Sequence, residues 1–256
     1  MLNSTFHNKS ATYEDPMTSA IFENLILLQD DVLWHILRTA CFESDYLPKN
    51  AGSLLYHEFW PHWDPTETGN SNFVEPDLFL AFEEFNVIIE AKYGDGDGQN
   101  ECQWKREIQA YFNECASFGS NCIGEGEKIF VDNKKVFLIA IGGNGVKEKG
   151  IITAFDKPVL INIQRQESID ITVQRCSWFS LLVQVSNFKK ELEKITVPNA
   201  NLAAIVRLLN NIVLAFNLNG IYCLEMEWFD ALPDMYRISE DSIRRINNLY
   251  KWIENE

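Results

Sequence analysis

A chain of 256 residues, 46% hydrophobic and 12% aromatic, is long enough for one large core, since single cores stop growing at roughly 250–300 residues, and it is too apolar to be disordered. Its net charge of −15 repels phosphates and argues against unaided nucleic-acid binding, unless carboxylates recruit cations that reverse the local field. The charge is uneven: residues 1–100 hold 17 Asp and Glu against Lys9, Arg38, Lys49 and Lys92, while the remainder holds 20 acidic against 18 basic residues. The six cysteines include no Cys-x-x-Cys pair and fall in apparent helices and strands. This fits buried thiols in a reducing, cytoplasmic compartment better than a disulfide framework or zinc ribbon. No apolar run reaches the ~20 residues of a membrane helix, so no membrane association is expected.

In chain order, residues 1–13 lack a basic or strongly apolar stretch and read as a frayed N-terminal arm rather than a secretory signal. Asp15 and Pro16 read as an N-cap and first helical position. The apolar spacing of Ile21, Phe22, Leu25, Ile26 and Leu28, continued by Val32, Leu33, Ile36 and Leu37, predicts one bent helix or two short ones. SLLYHEFW (53–60) is strand-like and PHWDPTETGNSN (61–72) a loop. LFLAF and NVIIEAKY, separated by Glu83, Glu84 and Phe85, predict a hairpin, which GDGDGQ ends. A helix is expected from Glu101 to about Phe118, with Trp104, Ile108 and Tyr111 on one face. VFLIAI (136–141) reads as a strand buried on both sides, and PVLINI and IDITV as further strands. Three helical periods follow, over SWFSLLVQVSNFKKELEK, NLAAIVRLLNNIVLAFNL and SEDSIRRINNLYKWIEN. The succession predicts an α/β fold with a central mixed sheet, and the helices from about residue 176 an elaboration on it.

The hairpin is where chemistry is expected. Side chains alternate along a strand, so Glu90 and Lys92 share one face while Ile89 and Ala91 share the other. With the turn centred near Glu84 and Phe85, Asp77 falls close to Lys92 and one pair from Glu90. Burying two like charges is costly unless a cation lies between them. Lys92 offsets part of that cost, and a Mg²⁺ ion on Asp77 and Glu90 would offset more, because hard cations prefer carboxylate oxygens. Phosphodiester hydrolysis uses such a set: a metal to polarise the phosphate and acidify water, and a lysine to steer that water and screen developing charge. The competing reading is a surface hairpin with solvated charges, against which stands a VIIEAK run too apolar for an exposed edge.

These residues resemble the PD-(D/E)XK nuclease superfamily. Pro76 and Asp77 match its PD element and Glu90, Ala91 and Lys92 its E-x-K element. Gln103, in QWKRE, sits where many members carry a QxxRE segment, and Glu14, Asp15, Thr18 and Ser19 resemble the first-helix start of a prokaryotic branch. The resemblance spans residues 14–112, with VFLIAI fitting the next core strand. It implies a restriction endonuclease-like fold with a nuclease core over 14–175 and C-terminal helices over 176–256. It further implies a Mg²⁺-dependent deoxyribonuclease, with Mn²⁺ as a substitute ion, in which Asp77, Glu90 and Glu14 hold the metal and Lys92 activates water. Gln103 would orient substrate or water. Glu23, deeper in the first helix, is the alternative to Glu14. DNA is the implied substrate, a partner protein or homo-oligomer the implied assembly, and prokaryotic anti-phage or restriction defence the implied setting. A non-catalytic binding subunit of the same fold and an RNase are the alternatives.

Other patterns carry less. His57, Glu58 and His62 resemble a zinc protease motif, but the spacing is one residue too long and Pro61 forbids the required helix. GDGDG fails the ligand series of a calcium loop, and IGGNG lacks the lysine and hydroxyl of a phosphate-binding loop, leaving a tight turn. Lys134, Lys135, Lys147, Lys149, Arg244 and Arg245 are read as solvated by default.

Overall fold

The computed structural model describes residues 2–6, 14–93, 98–121, 134–143, 159–164, 168–195 and 200–222. The last expected helix, with Arg244 and Arg245, lies outside the described residues, as do Lys147, Lys149 and residues 94–97 of the GDGDG stretch. The fold is α/β, a six-stranded mixed sheet flanked by helices.

The chain runs α1 (Leu2–Phe6), α2 (Glu14–Leu25), α3 (Asp30–Ala40), β1 (Leu54–Phe59), β2 (Leu78–Phe82), β3 (Phe85–Ala91), α4 (Glu101–Asn121), β4 (Lys135–Ile141), β5 (Val159–Gln164), β6 (Ser168–Cys176), α5 (Trp178–Glu193) and α6 (Ala200–Leu218). The strand order is β1-β2-β3-β4-β6-β5. β1, β2 and β3 form an antiparallel meander, β4 joins β3 in parallel after the α4 crossover, and β6 joins β4 in parallel. β5 closes the far edge antiparallel to β6.

Every residue of β2 and β3 is buried, as expected of central strands covered on both faces. On one face Phe79, Ala81, Ile88, Leu138, Ala140 and Val173 pack with Trp104, Ile108, Tyr111, Phe112 and Cys115 of α4, the helix face that the sequence period marks. On the other side α3 packs on α5, and α6 on both α2 and α5. There Trp34 meets Phe82 and Phe85 at ring-centroid distances of 5.7 and 4.7 Å. Each fully buried Val, Ile or Phe here contributes roughly 1.5–3 kcal/mol by leaving water, which fixes the meander tightly enough to carry charge at its end.

Several expectations need correction. The N-terminal arm contains a helix, α1, tied down where the Asn3 amide donates to Glu23 at 2.6 Å and the Ser4 amide to the Ser19 hydroxyl at 3.2 Å. Helix α2 begins at Glu14, so Asp15 and Pro16 lie within its first turn rather than at its cap; Pro fits there because first-turn amides have no intrahelical acceptor. Cys102 is exposed, while Cys41, Cys115 and Cys176 are buried thiols as expected. Among the described residues one helix, α6, is long and apolar enough by composition to cross a membrane, Arg207 being its only charged residue; in this fold it buries Leu209, Ile212, Ala215 and Phe216. Of the helices expected from 176 onward, α5 and α6 belong to the same compact unit as the sheet.

Candidate metal centre

The β2–β3 register pairs Leu78 with Ile89 and Ala81 with Asn86. The turn is therefore Glu83–Glu84, one residue earlier than the sequence suggested. Continued one step, the register sets Asp77 across from Glu90 itself rather than one pair away. Asp77 and Glu90 are 7% and 1% exposed, so the solvated-hairpin reading fails.

Asp77 is held on both oxygens. Its Oδ1 accepts the Trp60 indole N–H at 3.1 Å and its Oδ2 the Ala91 amide at 2.7 Å. The Trp60 amide also donates to the Asp77 carbonyl at 3.1 Å. Trp60 adopts a φ of 48°, a left-handed conformation that costs a bulky residue roughly 1–2 kcal/mol. That cost is offset by the two hydrogen bonds to Asp77. Each Asp77 oxygen keeps a further lone pair.

Lys92 follows the strand, its amide donating to the Ile141 carbonyl at 2.8 Å and extending the pairing with β4. Its ammonium donates to Glu90 Oε1 and, at 3.3 Å, to Glu14 Oε1. Glu14, in the first turn of α2, also accepts the Tyr93 amide at 2.9 Å. Glu14 thus reaches the cluster, whereas Glu23 is committed to the Asn3 amide and the Ser19 hydroxyl. Gln103 is present too, but its Nε2 donates to Glu90 Oε1 at 2.6 Å. It orients a carboxylate rather than standing free for water or substrate.

Two residues escape a reading of the sequence. Glu107, 1% exposed, follows Gln103 by one helical turn and places its carboxyl beside Glu90 and Gln103. Among the described residues neither of its oxygens meets hydrogen-bond geometry with a donor. The QxxRE spacing contained it, since positions i and i+4 share a helix face. Asp15 forms a group with Glu14 and Asp77 whose ligand atoms all lie within 4.8 Å of one another.

The electrostatics follow from burial. Desolvation, then the facing Glu90, pushes the Asp77 carboxyl well above its usual range, against the pull of Lys92. Desolvation and Glu107 do the same to Glu90. Glu107 is pushed up to about 8, chiefly by burial, and so retains its proton at neutral pH. Burial alone would lower the Lys92 ammonium, but Glu90, Asp77 and Glu14 outweigh it and hold it above its ordinary value. Lys92 is therefore a fixed cation, unsuited to accept a proton. A site with more carboxylate than ammonium, whose ligand atoms are all oxygens, fits a hard divalent ion.

The patterns set aside stay so. His62 stacks on Phe73 with ring centroids 3.8 Å apart and contacts Glu75 at 2.9 Å, while Glu58 accepts the Tyr56 hydroxyl at 2.7 Å. Comparison with family models, with curated proteins and with solved structures found no match for this chain.

Proposed function

We propose that the chain is a divalent-cation-dependent phosphodiester hydrolase of the PD-(D/E)XK type, acting on DNA. The observation that carries this reading is the convergence of Asp77, Glu90 and Lys92 at the end of an antiparallel hairpin, with Glu14 reaching in from the first turn of α2. The supporting frame is the order helix, meander, crossover helix, parallel strand. It is compatible with the restriction endonuclease-like arrangement that the residues resemble.

Asp77, Glu90 and Glu14, with Asp15 at the rim, would hold the ion, and Mg²⁺ suits their oxygens, with Mn²⁺ as substitute. When bound, such an ion polarises the phosphate and lowers the pKa of water. The protein's own groups do the rest. Trp60 and Ala91 hold Asp77 with its remaining lone pairs available. Gln103 holds Glu90. The Lys92 ammonium, close to both Glu90 and Glu14, screens the negative charge that develops on phosphate oxygens in the transition state and orients water by donating to it. The acidic surface gives little attraction for a polyanion, so a partner protein or a second copy that delivers DNA fits this reading, as does a role in prokaryotic defence.

Incubation with plasmid, linear DNA, single-stranded DNA and RNA in Mg²⁺, Mn²⁺ or EDTA tests the reading. Expected is cation-dependent cleavage of DNA that disappears in Asp77→Ala and Lys92→Ala variants of unchanged fold. Cleavage that persists in both variants would overturn it, and cleavage of RNA alone would move the substrate class.

A further inference from the structure

The Lys92 side chain does not lie in open space on its way to the carboxylates. An added Cβ at Gly143 would stand 2.6 Å from Lys92 Cβ, 2.9 Å from Lys92 Cγ and 3.2 Å from the Gln99 amide. A Cβ at Gly98 would also meet Lys92 Cγ, Cβ and Cδ, at 3.2, 3.3 and 3.4 Å. The lysine stem runs against two bare backbones, at Gly98 and Gly143, which are hydrogen-bonded to each other.

Both walls and the stem are pinned. The Gly143 carbonyl accepts the amides of Gly98 and Gln99 at 3.1 and 3.0 Å, and the Gly142 amide donates to the Cys176 carbonyl at 3.0 Å. Gln99 Nε2 donates to the carbonyls of Glu90 at 3.1 Å and Ile141 at 3.4 Å, while its Oε1 accepts the Trp104 indole N–H at 2.8 Å. The Lys92 backbone is fixed by the hydrogen bond its amide donates to the Ile141 carbonyl and by the Trp178 indole N–H, which donates to the Lys92 carbonyl at 2.8 Å. A new Cβ at 143 would collide with the rooted end of the side chain, which cannot swing aside as a side-chain tip could.

We infer that Gly143 and Gly98 are positioning residues for Lys92, forming a sleeve that delivers its ammonium to Glu90 and Glu14. The catalytic consequence rests on the hydrolase reading; the placement of the amine does not. A side chain in the sleeve turns the stem and withdraws the cation from both carboxylates. The two walls differ. Gly143 has a φ of 58° and contacts under 3.0 Å, whereas Gly98 shows neither left-handed backbone nor contacts that short. Gly69, with a φ of 81° and nothing within 4 Å of its missing Cβ, carries the backbone penalty alone and serves as control.

The test compares Gly143→Ala, Gly98→Val and Gly69→Ala by two readouts. One is the rate at which an amine-reactive ester modifies Lys92, followed by peptide mass spectrometry; the other is steady-state cleavage with Mn²⁺ affinity measured in parallel. Expected are several-fold faster modification of Lys92 in Gly143→Ala, and a kcat about tenfold below that of Gly69→Ala, with KM and Mn²⁺ affinity within about twofold of wild type. Gly98→Val, free of the left-handed penalty, shifts both readouts the same way by less, and it decides the matter where Gly143→Ala fails to fold. Modification of Lys92 at the wild-type rate in every folded variant, or a fall in Mn²⁺ affinity that parallels the fall in kcat, would overturn the sleeve. The modification arm needs no substrate, so a wild-type protein that cleaves nothing would sink the hydrolase reading and leave the sleeve to be judged on Lys92 reactivity.

Discussion

At the closed end of the β2–β3 hairpin, Glu83 and Glu84 are exposed, and their amides donate hydrogen bonds to the Ser53 and Ala51 carbonyls at 2.8 and 3.1 Å. At the open end, Asp77 and Glu90 are buried with Lys92, Glu14 and Glu107 around them. The two ends lie on the same pair of strands and each carries two acidic side chains. A solvated pair at a turn costs the fold almost nothing. A pair driven inside must be compensated by donors and cations, and it stays destabilising until it is. The chain tolerates that cost at one end only, which is why that end is read as functional.

The largest expected contrast is in cleavage. Asp77→Asn keeps the shape of the side chain but removes the charge, and a loss on the order of 10²–10³ in kcat is expected, whereas the double variant Glu83→Gln, Glu84→Gln leaves kcat unchanged; gel-based kinetics on plasmid DNA check both. Next comes the pH dependence of the metal-free protein. Glu107 holds its proton up to about pH 8 when folded, against an ordinary value of 4.5, so between those values the folded state binds more protons than the unfolded one. Stability therefore falls as pH rises through that window, and Asp77 and Glu90 add to the fall in the same direction. Glu107→Gln should flatten the profile by a few kcal/mol, read from urea midpoints between pH 5 and 9. Magnesium should restore what the carboxylates lose, raising stability by about 2.7 kcal/mol at a hundred times its Kd, more at pH 8 than at pH 6 and not at all in Asp77→Asn; thermal melts with and without the ion test this. The smallest effect is Trp60→Phe, which removes one donor to Asp77 and should lower kcat about tenfold by loosening that carboxylate; unchanged kcat would show that the Ala91 amide suffices.

Much of the frame is legible from the order of residues because it rests on local pattern. The buried runs LFLAF, NVIIEA and VFLIAI have the length and composition of central strands, and Trp104, Ile108 and Tyr111 mark the inner face of α4. Asp77, Glu90 and Lys92 are legible as a set because charge is conspicuous in such runs. What escapes depends on distance in the chain. The one-residue shift of the turn, which sets Asp77 across from Glu90, arises because Phe85 looks like a turn residue, whereas its ring packs 4.7 Å from that of Trp34 and belongs to β3. Trp60 is indistinct because its left-handed backbone and its bond to Asp77 arise only once β1 is docked. Glu107 stands in plain sight four residues after Gln103, yet a glutamate on a helix reads as solvated until its burial is known. Helix α6 misleads in the other direction, its apolar length hidden by a period that looks like that of any core helix.

The indole of Trp178 reaches back across the molecule to the carbonyl of Lys92, and it does so from the first residue of the helix that follows the last strand. A recombinant fragment trimmed at Arg175, as the boundary drawn from the primary structure would invite, would discard that tether along with the two helices behind it. Shortened versions of this protein should therefore retain α5 and α6, and an inert shorter fragment would say nothing about the chemistry of the intact chain.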